Sequence, residues 1–165
     1  MIVVPDGKKY SDDAINALRI LQDINRQEQA RGWSFNRVPR YTLYPDKDTK
    51  KIKWNSNFLF IKSHCPFMKL IHSGDYVKNL FSDSFIFERP VDVEIVLHVP
   101  FEELPDPMRN YIIAKACYVF QNSYFGDESL IKTTQMQVQE TWQYLQEYEI
   151  DNNNFSMLDN LHVRK

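Results

Sequence analysis

Glycine is scarce in this sequence, four residues in 165, and that scarcity removes several classes at once. A Gly-rich loop that cradles phosphates, a collagen repeat and a flexible Gly/Ser linker all need more of it. Cysteine appears only as Cys65 and Cys117, too few and too far apart for a zinc ribbon or a disulfide scaffold. Both are expected as buried, reduced thiols. No run of about 18 apolar residues is present to cross a bilayer, so no stable membrane insertion is expected. The amino-terminal stretch MIVVPDGKKY lacks the apolar segment of a secretory signal, and folding in a cytoplasm is expected. Strong net charge is missing too: −2, with 25% charged residues, is ordinary for a globular protein and falls short of a dedicated nucleic-acid binder.

What the chain does carry is aromatic side chains, 14% of the sequence, and more large apolar surface than a small core absorbs; part of it is expected at contacts between subunits. Its charge is also unevenly spread. From Arg37 to Lys69 eight basic residues stand against Asp46 and Asp48, a balance of +6, whereas from Asp127 to Asp159 seven acidic residues stand against Lys132, a balance of −6. Two solvated faces would explain this, and so would two surfaces that meet across the boundary between neighbouring copies.

Ser11, Asp12 and Asp13 form a helix start, with the hydroxyl as cap and the carboxylates at the positive end of the dipole. Ala14, Ala17, Leu18, Leu21 and Ile24 then recur at helical spacing until Gly32. From Trp33 to Pro100 the period shortens. Tyr41 to Tyr44 and Ile52 to Trp54 flank a turn at Pro45 to Asp48, and Lys69 to His72 and Tyr76 to Leu80 flank Ser73 to Asp75. Val91, Val93, Ile95, Leu97 and Val99 share one face of a strand whose other face, with Asp92, Glu94 and His98, is expected to meet water. Helices return at Asp106, a candidate cap ahead of Pro107, and run to Gly126. A last, longer helix begins near Asp127 and carries Ile131, Val138, Trp142, Leu145 and Tyr148 on one side. Asp151 to Asn154 are expected to break it. Trp33 and Trp142 are the expected anchors of the helical core.

The expected fold class is α+β: a helical bundle of one amino-terminal and two carboxy-terminal helices, a central antiparallel β-rich region, and an extended carboxy-terminal arm. The expected division is residues 1–36 with 101–150 as the helical domain, 37–100 as a β-rich insertion, and 151–165 as the arm.

Sites for chemistry are thin. His64 and Cys65 are adjacent with His72 seven residues on, but a zinc site needs a second closely spaced ligand pair. Glu102 and Glu103 are neighbours that a strand would point apart, while Asp92 and Glu94 share the wet face of a strand, so neither pair makes a glycosidase dyad. Tyr41, Tyr44, Trp54 and Phe58 interleave with the basic block as a single-strand binder would have them, yet they fall at alternating positions as core residues do. No catalytic residue, metal or cofactor is expected.

Three segments are distinctive together: RILQDINRQEQARGWSFN from Arg19 to Asn36, KACYVFQNSYFG from Lys115 to Gly126, and YEIDNNNFSMLD from Tyr148 to Asp159. In that order the chain resembles the tail tubular protein A family, the head-to-tail adaptors of short-tailed podovirus phages. The resemblance implies a structural protein of the virion tail, made and assembled in the cytoplasm of a host bacterium. It implies a dodecameric ring beneath the portal protein and above a nozzle like tail tubular protein B. It implies, too, that tail fibres are held nearby and that viral DNA passes through the lumen without sequence-specific binding. In such a ring Arg37, Arg40, Lys50, Lys51 and Lys53 are expected to meet Glu140, Glu147 and Glu149 of a neighbour or of a stacked ring. Phe155, Met157, Leu158 and Asp159 of the arm are expected to dock on the portal. The alternative weighed against this reading is a tail-associated peptidoglycan hydrolase.

Overall fold

The structure, a computed structural model, describes residues 11–162, with side chains through residue 152. The fold is α+β: helix α1 (Asp12–Gln29), strands β1 (Arg37–Leu43), β2 (Phe58–Ser63), β3 (Leu70–Ser73), β4 (Tyr76–Asn79) and β5 (Val91–Leu97), then helices α2 (Asp106–Tyr124) and α3 (Glu128–His162). The described residues divide into two compact units, one comprising those up to Glu28 and from Pro100 onward, the other Gln29–Val99.

In the helical unit, α1 starts as its sequence dictates, with the Ser11 hydroxyl accepting from the Ala14 amide at 3.3 Å. Asp106 departs from expectation. The residue at the cap of α2 is Pro105, which offers no side-chain bond, and Asp106 lies in the first turn, where its carboxylate pairs with Arg109. A proline already fixes the extended backbone that a cap requires, leaving the carboxylate free for the cation one turn on. Phe125, Gly126 and Asp127 turn the chain into α3, where the Asp127 carboxylate accepts from the amides of Ser129 and Leu130 at 2.8 and 3.2 Å. So short a turn makes α2 and α3 neighbours. Met108, Ile112 and Leu145 are wholly buried. Trp142 is half-buried, tilted against Tyr111 with ring centroids 5.0 Å apart. Thr134 is buried within α3 because its hydroxyl bonds the Leu130 carbonyl at 2.9 Å, which satisfies it without water.

The helix break expected at Asp151 to Asn154 is absent. Backbone helix continues through all four residues to His162, 35 residues in all, or about 52 Å at 1.5 Å per residue. The carboxy-terminal stretch is therefore a continuation of α3 rather than an extended arm.

The strand unit contains an antiparallel sheet of order β1-β5-β2 and a two-stranded ribbon of β3 and β4. β5 is central, pairing with β1 along one edge and with β2 along the other. Val91, Val93 and Ile95 enter the core, yet Val96, on the face expected to be wet, is 2% exposed. The chain leaving α1 lies close over it: a β-carbon added at Gly32 would meet the Val96 side chain at 3.0 Å. Pro39 is accommodated in β1 because that strand is an edge and bulges between Val38 and Tyr41, where a missing amide costs no ladder bond. The strand expected at Ile52 to Trp54 is reduced to isolated bridges, Lys51 to Ile86 and Lys53 to Tyr76, after Lys50 adopts a left-handed φ of +57°.

A buried amide network ties together the two ends of this unit. Gln29 donates to the Val99 carbonyl at 2.9 Å and accepts from the Val99 amide at 2.8 Å. Asn36 donates to the carbonyls of Gln29 and Leu97 and accepts from the Trp33 amide. Trp33, expected in the helical core, is buried in the strand unit instead, drawn there by Gly32 turning the chain left-handed at φ +79°.

Candidate assembly surfaces

The basic residues singled out by sequence fall into two groups. Arg37 is engaged within its own chain: its Nε and one terminal nitrogen both lie 2.9 Å from Glu94 Oε1. That hydrogen bond raises Arg37 above the usual arginine value and holds the Glu94 carboxyl below the usual carboxylate range. Lys51 is half-buried with its ammonium 5.2 Å from the centre of the Tyr76 ring. Arg40, Lys50 and Lys53 are exposed. Of the five cations only Lys51 is half-buried; Arg37, though exposed, is paired with Glu94, and the other three face solvent.

The acidic trio divides as well. Glu140 and Glu147 are exposed and seven residues apart, two turns along one side of α3. Glu149 is half-buried, because two residues beyond Glu147 turn it about 200° round the helix. Of the eight charged residues, Arg37, Arg40, Lys50, Lys53, Glu140 and Glu147 are exposed, and Lys51 and Glu149 are half-buried. Phe155, Met157, Leu158 and Asp159 lie in the backbone of α3, but their side chains are outside the described residues.

The residues weighed for chemistry have structural partners. Asp92 accepts from the Thr42 hydroxyl at 2.6 Å, and Glu94 is held by Arg37. His64 Nε2 lies 2.8 Å from the Pro39 carbonyl, across β5 at the bulge, and His72 stacks on Trp54 with centroids 4.3 Å apart. Among the described residues no cluster of three potential metal ligands occurs. Phe58 is buried and Trp54 packs against the same core, while Tyr41 and Tyr44 remain exposed.

Neither thiol is buried as expected. Cys65 is half-buried and Cys117 is exposed. Cys117 lies on the side of α2 that faces α1, where the two helices stand apart and leave an open groove of about 350 Å³ lined by Ala17, Leu18, Leu21, Ile113, Ala116, Cys117 and Phe120. Every lining residue is uncharged and apolar, as a protein-docking surface requires. A stepwise repeat at 113, 116, 117 and 120 was visible in sequence, but the same repeat suits an ordinary core.

A second apolar surface escaped sequence reasoning. Phe67, Leu80, Phe81 and Ile86 are 81%, 39%, 65% and 48% exposed, all close to the end of the β3–β4 ribbon. A Leu-Phe pair in a turn is the signal that was available, since turns favour polar residues.

No helix among the described residues is long and apolar enough to cross a membrane. Compared with known proteins, residues 5–155 match a family model described as tail tubular protein. A search of curated proteins finds no match. The match spans most of the chain, both helical ends and the strand unit alike, and with it the chain belongs to the tail tubular protein family, as a structural component of a phage virion tail.

Proposed function

We propose that this chain is the head-to-tail connector of a short-tailed phage, a subunit of an adaptor ring that joins the portal to the tail nozzle and encloses part of the DNA channel. The family match over residues 5–155 carries this reading. The exposed carboxylates of Glu140 and Glu147 and the exposed cations Arg40, Lys50 and Lys53 support it as a pair of complementary surfaces on repeated copies. Such pairs set register and association rate more than affinity. The ring is a dodecamer in this reading, with tail fibres at its rim and host cytoplasm as the place of assembly. The last turns of α3, with Phe155, Met157, Leu158 and Asp159, reach the portal as a helix rather than as an extended arm.

Negative-stain imaging of the protein mixed with portal tests it. Rings stacked on portals are expected at low salt and fewer at high salt, because the Debye length falls from about 30 Å at 0.01 M to about 3 Å at 1 M. A truncation ending at Ile150 is expected to fold and form rings but fail to stay on the portal. A persistent monomer that binds no portal overturns the connector reading.

A further inference from the structure

The apolar stripe of α1 is packed near one end of the helix and open near the other. Toward the end of α1, Ile24 is 8% exposed and Glu28 pairs with Lys115 of α2. Toward its start the stripe continues as Leu21, Leu18 and Ala17, which are only half-buried. With Ile113, Ala116, Cys117 and Phe120 of α2 they line the groove of about 350 Å³, which is uncovered among the described residues. The uncovered stretch is thus the part of α1 nearest Ser11. Ala17 and Leu21 stand six and ten residues beyond Ser11, about 9 and 15 Å along the helix axis.

The sequence that leads into Ser11 is MIVVPDGKKY. Four consecutive apolar residues precede Pro5, Asp6 and Gly7, a combination that forms turns. From Val4 to Ser11 the chain spans seven residues, up to about 23 Å when extended. That exceeds the 9 to 15 Å needed to double back alongside α1. Connectivity then selects this segment over other apolar groups. Tyr124, Phe125, Leu130, Met136, Tyr144 and Ile150 are exposed, but each is held on α2, on α3 or in the turn between them, and with all of them in place the groove is open. From a second copy they would have to arrive by association, whereas a segment tethered this closely is present at an effective concentration of about millimolar. Residues 1–4 also lie outside the stretch that matches the tail tubular protein model, 5–155, so the contact belongs to this chain's own sequence.

We propose that the chain folds back at Pro5–Gly7 and seats Ile2, Val3 and Val4 in the α1–α2 groove of the same molecule. The Met1 amino group stays in water at the groove mouth, where its charge keeps its hydration. This contact is made within one chain and does not depend on the connector reading.

Native Cys117 lines the groove and reports on it in the full chain carrying Cys65→Ser. Its rate of labelling by iodoacetamide, followed by mass spectrometry, is expected to rise roughly tenfold when Val3→Asp is added, with helix content by circular dichroism unchanged. An unchanged labelling rate overturns the inference. Val3→Cys and, in a separate protein, Lys8→Cys are then oxidised mildly in the Cys65→Ser background and run on a non-reducing gel. Val3→Cys is expected to close a disulfide with Cys117 within the monomer at several times the yield of Lys8→Cys, and Cys117→Ser is expected to abolish it. Equal yields from the two positions mean random collision of a tethered thiol and overturn the inference. Covalent dimers formed through Cys117 place the segment in the groove of a second copy and overturn it as well.

Discussion

Replacing Lys115 with Met tests the strongest electrostatic commitment of the helical unit. Lys115 on α2 is ion-paired with Glu28 on α1, whose side chain is 0% exposed while that of Lys115 is 25% exposed. Methionine keeps most of the aliphatic stem but loses the ammonium, which lies 5.8 Å from the centre of the Tyr111 ring, and removes the Lys115 partner from a carboxylate with no access to water. Removing one member of a buried pair costs about 3–5 kcal/mol, because the remaining charge stays desolvated. Since a quarter of Lys115 reaches solvent, water softens the loss, and about 3 kcal/mol is the expected figure. At a urea slope of about 2 kcal/mol/M this moves the unfolding midpoint down by about 1.5 M. Adding Glu28→Gln in the same protein removes the stranded charge and is expected to bring stability back to within about 1 kcal/mol of the parent. Urea unfolding followed by far-ultraviolet circular dichroism reads all three proteins. A single-variant loss below about 1 kcal/mol, or a double variant no better than the single, refutes the assignment of Glu28 as a buried anion held by Lys115.

Glu94 titrates below its ordinary value because Arg37 bonds its charged form. It therefore adds stability that is present above about pH 4.3 and lost as pH falls through its lower folded value. Between about pH 5 and pH 3 the parent is expected to lose about 0.5–1 kcal/mol more than Glu94→Gln, and equal acid sensitivity of the two would contradict this. Gly32→Ala must hold a β-carbon at φ +79° and 3.0 Å from Val96; a loss of at least about 1–2 kcal/mol is expected in thermal or urea unfolding. Asn79→Ala removes the acceptor shared by the Lys69 and Phe81 amides, with an expected cost of about 1–3 kcal/mol and faster hydrogen exchange at Phe81. Unaltered exchange there would show that the loop is held by something other than Asn79.

Much of the architecture was readable because it rests on periodicity and backbone chemistry. The Ser11 cap, the left-handed Gly32, the alternation of Val91, Val93 and Ile95, and the Asp127 start of α3 are local features, and local features are what a sequence states directly. The failures share a different cause. Cys117 sits on a helical repeat that reads as core, and whether such a repeat is covered depends on how closely a second helix approaches, which no spacing records. Glu149 and Glu147 are two residues apart, yet only the rotation of α3 puts one on its packed side and the other in water. Arg37 and Glu94 lie 57 residues apart, so their pairing depended on the β1–β5 register.

The run from Asp151 to Asn154 shows how propensity was overruled. Each of these residues costs roughly 0.6–0.7 kcal/mol relative to alanine in a helix, so the four together ask for about 2.5 kcal/mol. Stopping a helix, however, strands its last four carbonyls, and a clean stop draws on glycine to turn left-handed or proline to deny the next bond. After Gly126 the sequence contains neither. With neither glycine nor proline to end the ladder, extending an existing helix by one bond per residue wins over the weaker stop that the asparagines offer, since the costly nucleus is already formed. The scarcity of glycine that excluded phosphate loops thus also bears on the length of α3, which runs unbroken from Glu128 to His162.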